Sequence, residues 1–137
     1  MIAGVGGTNS GQVTAFGDKT ANDFAYFYGS SGATTFVASG SADSYMIDAH
    51  RFNVAAGFGD VQVFSGGSQN VAYFWDSPGN DVFYGSTAVS FMYGPGYINE
   101  AAGFALVYAE SFLGGVDYAY NLDPNQIITS GFAAVFA

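Results

Sequence analysis

The chain has no cysteine, so disulfides and thiolate metal sites are excluded. Basic residues are almost as scarce. Lys19 and Arg51 stand against nine Asp and two Glu, for a formal net charge of −9. Such a field repels phosphate backbones and anionic lipid heads, which argues against a nucleic-acid partner. Charged residues of either sign make up 9% of the chain, against roughly 25% in an ordinary globular domain. Solubility therefore rests on Ser, Thr, Asn and Gly. No uninterrupted apolar run approaches the roughly 18 residues that would signal a membrane-spanning helix. The opening Met1-Ile2-Ala3-Gly4-Val5-Gly6-Gly7 lacks the basic start of a secretory signal. It reads as an added start, or as the beginning of a fragment of something longer. His50 is the single histidine. It reads as a surface-loop residue, because a catalytic dyad needs a nucleophile and an orienting partner. Gly4-Val5-Gly6-Gly7 has no following Lys and no strand-turn-helix setting, so it is no phosphate loop. Nothing in the chain calls for an enzyme or for an obligatory cofactor.

What is present is aromatic and repetitive. Among 137 residues there are 14 Phe, 10 Tyr, one Trp and 20 Gly. That apolar content offsets the entropy of ordering, so disorder is not expected. A short pattern closing on aspartate recurs: Tyr45-Met46-Ile47-Asp48, Tyr73-Phe74-Trp75-Asp76, Tyr120-Asn121-Leu122-Asp123 and, more loosely, Ala15-Phe16-Gly17-Asp18. Gln12 to Asp23 aligns on Asn70 to Asp81, pairing Val13 with Val71 and Phe16 with Phe74. Ala55-Ala56-Gly57-Phe58 returns as Ala101-Ala102-Gly103-Phe104, and Phe64-Ser65-Gly66-Gly67 as Phe112-Leu113-Gly114-Gly115. Repeats of this size mark units that bury their apolar faces against their neighbours.

Short alternating runs predict strands at 12–16, 24–28, 34–38, 44–47, 61–64, 70–75, 82–84, 89–93, 104–109, 117–122 and 132–136. Turn sequences separate them, among them Ser77-Pro78-Gly79-Asn80, Gly94-Pro95-Gly96 and Asp123-Pro124-Asn125. A helix over 99–110 is interrupted by Gly103, and strand is preferred there. The expected architecture is all-β, a single repeat-built domain over 1–137 folded as an irregular β-solenoid. An aromatic-rich β-sandwich is the alternative. A small outer-membrane barrel would need strands of about 9–11 residues, and the runs here are shorter, so membrane insertion is not expected. The scattered Thr residues form no ranked ice-binding face.

Two stretches carry a resemblance. Trp75-Asp76-Ser77-Pro78-Gly79-Asn80-Asp81-Val82-Phe83 resembles the D-S-x-G-N-D-x-F block of very long secreted or surface proteins of planctomycetes and related marine bacteria. Residues 96–109 with Gly114-Gly115-Val116-Asp117-Tyr118-Ala119-Tyr120-Asn121-Leu122-Asp123 resemble the G-Y-x-N-x-A-x-G-F block of the same family. The resemblance covers residues 50–125 well and 12–50 weakly. It implies a β-solenoid, an extracellular or cell-surface setting and no catalytic activity. More distantly, Gly79-Asn80-Asp81-Val82-Phe83-Tyr84-Gly85 is similar to one step of the calcium-binding repeats of hemolysin-type toxins. The second candidate step, Ala21-Asn22-Asp23-Phe24, has lost its Gly, so a ladder of calcium ions is not expected.

Two kinds of site follow. Asp76, Asn80 and Asp81 offer hard oxygen ligands to calcium from one loop, with Gly79 easing the turn. Asp18, Asn22 and Asp23 offer a weaker version, and turn capping is the competing role for both sets. Tyr26, Tyr28, Tyr73, Trp75, Tyr118 and Tyr120 lie on alternating runs that place Phe27 and Phe74 inside and the tyrosines on a flank. Stacked tyrosines make a stripe suited to glycans or to a protein. The expected function is structural: a self-associating segment of a surface layer or filament. A calcium-dependent or glycan-binding adhesin module is the competitor.

Overall fold

The computed structural model describes residues 2–5 (as backbone), 11–18, 23–86 and 88–137. Among the described residues there is no helix, and fifteen strands form two sheets. They are β1 (Ile2–Val5), β2 (Gly11–Phe16), β3 (Phe24–Tyr28), β4 (Thr35–Ser39), β5 (Ser44–Ile47), β6 (Arg51–Ala56), β7 (Asp60–Phe64), β8 (Val71–Trp75), β9 (Val82–Gly85), β10 (Val89–Gly94), β11 (Tyr97–Ala102), β12 (Leu106–Glu110), β13 (Tyr118–Asn121), β14 (Ile127–Ser130) and β15 (Ala134–Phe136). The first sheet runs β1-β3-β7-β11-β10-β9-β13-β15 and the second β14-β12-β8-β4-β5-β6-β2. The chain is all-β, as its turn-punctuated alternation predicts.

The chain crosses between the sheets at almost every turn, so most neighbours within a sheet are parallel. Phe24 pairs with Asp60, Thr35 with Val71 and Val82 with Tyr118, each a step of 36 residues. Two meanders break this order. In each, one strand runs antiparallel to both neighbours: β5 between β4 and β6, and β10 between β9 and β11. Gly40-Ser41 and Gly94-Pro95-Gly96 supply tight turns within them. A closed solenoid of regular coils is not formed. Two facing sheets, as in a sandwich, describe the arrangement.

The core lies between the sheets. Phe27 meets Phe36 across it with ring centroids 5.6 Å apart, and Phe74 meets Phe83 at 5.4 Å. All four are fully buried. Burying side chains of this size stabilises by about 1.5–3 kcal/mol each relative to exposure. The chain rounds three corners on a glycine of positive φ followed by a phenylalanine packed on the core: Gly57-Phe58, Gly103-Phe104 and Gly131-Phe132.

One sequence alignment fails in a specific way. Through successive pairings, Val13 shares a rung with Ala72 rather than Val71, and Thr14 with Tyr73. The register is displaced by one residue, which exchanges the faces of a strand. Phe16 is accordingly 69% exposed, whereas Phe74 is sealed inside. Met46, Phe74 and Asn121, the third-from-last residues of the three tetrapeptides before their aspartates, all point inward. Asn121 does so from the opposite sheet, and Phe16 stands apart from them.

Candidate metal centre

The loop Asp76-Ser77-Pro78-Gly79-Asn80-Asp81 carries the chain from β8 in the second sheet to β9 in the first. Proline and glycine suit so tight a passage. Asp76 closes β8, and Asp81 immediately precedes β9. Asp117 immediately precedes β13, which lies parallel to β9 with Tyr118 opposite Val82. Asp117 is thereby set beside Asp81. The Asp76 N–H donates to the Glu110 carbonyl at the end of β12 (3.3 Å), which brings in the third carboxylate.

Asp76, Asp81 and Asp117 each contribute an oxygen to a group lying within 4.8 Å of one another. All three residues are buried, Asp76 and Asp81 completely. Backbone N–H groups and hydroxyls hold them. Asp76 Oδ2 accepts from Phe112 N–H at 3.0 Å and Leu113 N–H at 2.9 Å. Asp81 Oδ2 accepts from Ser77 N–H at 3.0 Å, and its Oδ1 from the hydroxyls of Ser77 at 2.9 Å and Tyr97 at 2.7 Å. Asp117 Oδ1 accepts from Asp81 N–H at 2.7 Å and its Oδ2 from Ser111 Oγ at 2.6 Å. Asp76 Oδ1 is buried and has no donor.

The β10–β11 hairpin closes over this group through Tyr97. A side chain at Gly94 would collide with the Asp81 carboxylate, and one at Gly40 with the Tyr97 ring. Burial pushes the Asp76 carboxyl above its ordinary value. The two N–H donors oppose that, and the charges of Asp117 and Asp81 add to it. Burial, and then the bond to Asp81, push the Tyr97 phenol up, so it remains a donor. Among the described residues no Lys, Arg or His side chain is ion-paired with the group. Arg51 binds Asp48, with Nη2–Oδ2 at 2.6 Å and Nε–Oδ2 at 2.9 Å.

The structure thus joins Asp76 and Asp81 as the sequence leads one to expect, but it places Asn80 differently. Asn80 Oδ1 accepts from Val116 N–H at 2.9 Å and caps the neighbouring loop. Asp117 stands in the cluster instead. Sequence reasoning missed Asp117, although Asp81-Val82 and Asp117-Tyr118 share one signal, an aspartate directly preceding a strand. In the weaker set, Asp23 Oδ2 accepts from Asp18 N–H at 2.9 Å, and Asn22 lies outside the described residues. Of the phosphate-loop candidate, Gly6 and Gly7 also lie outside them, as does Lys19.

The six aromatic candidates fall on two faces. Tyr118 and Tyr120 belong to the outer face of the first sheet. There Phe91, Tyr84, Tyr120 and Phe136 stack in sequence across β10, β9, β13 and β15, at 5.4, 5.5 and 5.2 Å. Tyr28 stacks on Phe64 elsewhere on that sheet at 5.4 Å, and Tyr26 pairs across from Gln62. Tyr73 stacks on Tyr108 on the second sheet at 4.9 Å, while Trp75 meets Phe112 edge-on at 6.2 Å. The Trp75 indole N–H is buried without an acceptor. His50 is exposed in the turn after β5. Comparison with family models, with curated proteins and with solved structures finds no match to this chain.

Proposed function

We propose that this chain is a non-enzymatic structural module of an extracellular or cell-surface assembly, and that it joins copies of itself end to end. In this reading the two sheets form an open roll, an irregular solenoid whose coils are widened by two hairpins. The observation that carries it is the state of the two ends. One end presents β1 and β2 as edge strands, and the other β15 and β14. Val13 and Val135 sit on the inward side of their strands by register, yet they are 53% and 50% exposed. Among the described residues the apolar interior is exposed to solvent at both ends, and parallel edges without a further partner strand flank it. Such edges template further pairing.

The geometry favours a head-to-tail joint. β14 and β2 run parallel, as do β15 and β1, so one end of a copy continues the sheets of the next without reversing a strand. A heterologous joint of this kind does not close and gives filaments. The extracytoplasmic setting rests on the sequence resemblance. The non-enzymatic reading rests on residue chemistry, since the one histidine is exposed and no nucleophile–base pair emerges among the described residues.

Sedimentation and negative-stain electron microscopy of the purified chain test the proposal. Filaments are expected in the wild type, and Val135→Lys should shorten or abolish them by putting a charge into the joint. A sharp monomer for the wild type at tens of micromolar would sink it.

A second reading is favoured by the Phe91–Tyr84–Tyr120–Phe136 ladder, half-buried at Phe91 and exposed at the other three, whose rings suit the apolar faces of sugars. If Tyr84→Ala with Tyr120→Ala leaves assembly intact but removes binding on a glycan array, that face is a carbohydrate-binding surface.

A further inference from the structure

We propose that Asp76, Asp81 and Asp117 bind a hard divalent cation of calcium's size, which fastens the β8–β9 corner to the corner before β13. The inference does not depend on end-to-end assembly. Ligand oxygens around calcium sit about 2.3–2.6 Å from the ion, so any two of them lie no more than about 5 Å apart. The three carboxylates already meet that limit, within 4.8 Å. The donor set is all oxygen, with neither thiolate nor imidazole, which selects hard ions. Magnesium keeps several of its waters and demands a tight octahedron, and a buried trio of carboxylates suits the larger, more adaptable ion better.

The independent observation is the orphan oxygen. Of the six carboxylate oxygens in the cluster, five accept hydrogen bonds from named protein donors. The sixth, Asp76 Oδ1, is buried and accepts none. A buried carboxylate oxygen with no partner is costly, and two like charges alongside make it more so. A cation satisfies that oxygen and neutralises its neighbours together. The N–H and hydroxyl donors to the other five oxygens serve as the surrounding shell that orients ligands toward a metal. The ion would also join segments 36 residues apart, where Asp81 N–H and Phe112 N–H already bond across the same gap.

Trp75, the sole tryptophan, directly precedes Asp76 and reports on the site. The full chain, stripped with chelator, is titrated with calcium by calorimetry, by Trp75 emission and by thermal unfolding. One ion per chain is expected, with altered emission and a melting temperature raised by several degrees in millimolar calcium. Asp76→Asn and Asp117→Asn should each weaken binding more than tenfold, and Asp43→Asn, at an exposed turn, should leave it unchanged. If either variant is poorly folded, terbium luminescence sensitised through Trp75 in the wild type, and quenched by calcium, reads the same site. Absence of saturable binding together with an unchanged melting temperature overturns the proposal. So does binding that survives at full affinity in both folded variants. A third overturning result is Asp76→Asn stabilising the chain equally with calcium and with chelator, since a shared proton would then satisfy the cluster.

Discussion

Single residues set the corners and the charges of this molecule. Gly103 has φ 75°, and a Cβ there would meet only the Ser65 Cβ at 3.6 Å. Its cost is therefore backbone strain alone, and Gly103→Ala should destabilise by about 1–2 kcal/mol. At Gly131 the same change drives a Cβ into the Ser111 carbonyl, so the loss should be larger. Chemical denaturation of the two variants checks the order. Asp48 shows the electrostatic counterpart. Burial pushes its carboxyl up, but Arg51 and the N–H groups of His50 and Arg51 more than reverse this and hold it at about 2. A depressed folded value means stability that is present above the ordinary 3.8 and lost as pH falls toward about 2. Asp48→Asn should therefore be less stable than the wild type at neutral pH. The difference should vanish through that acid window, as followed by thermal melts. Of the residues in the candidate centre, Asp76 and Asp81 were legible because one loop holds both. Asp117 was not, because only the sheet register brings it near.

At the scale of elements, packing decides what local pattern leaves open. Phe104 follows its corner into the core, is 5% exposed and lies 6.4 Å from Phe36. Phe104→Ala should cost about 3–5 kcal/mol, measurable by equilibrium unfolding. Each strand run predicted from alternation exists, two of them (24–28 and 44–47) with the same bounds and the rest with ends shifted by one or two residues. Four strands were not legible: β1, β6, β11 and β14. β6 begins with Arg51 and carries Asn53 on its buried side, and β11 carries Asn99 there. Polar residues at inward positions hide the alternation. Two buried asparagines reach backbone of the facing sheet. Asn99 Nδ2 donates to the Ser39 carbonyl at 3.2 Å and Asn121 Nδ2 to that of Ile127 at 2.9 Å. Asn99 and Ser39 are 60 residues apart, beyond any sequence window. The one-residue slip between Val13 and Val71 has a similar origin, since β4, β5 and β6 intervene between the strands being compared.

For the whole molecule, the recurrent blocks and the spatial step turn out to be different periods. Parallel partners in register lie 36 residues apart in three pairings and 16 to 40 apart across all of them, whereas the matched sequence blocks are offset by 46 to 58. Ala55 lies in the second sheet and its counterpart Ala101 in the first. Tyr73 and Tyr120 also fall on opposite sheets. The corner glycines keep the same shape through the exchange, with φ 74° at Gly57 and 75° at Gly103. Val13 and Val71 share the second sheet, but between the pairs offset by 46 or 47 residues the chain crosses from sheet to sheet an odd number of times. A gene segment of that length, copied in tandem, would lengthen the molecule by a half-revolution and turn the newly added layer over. The exchanged positions keep their inward place, Ala55 and Ala101 each being 2% exposed, so the two facing sheets offer a copied segment equivalent surroundings.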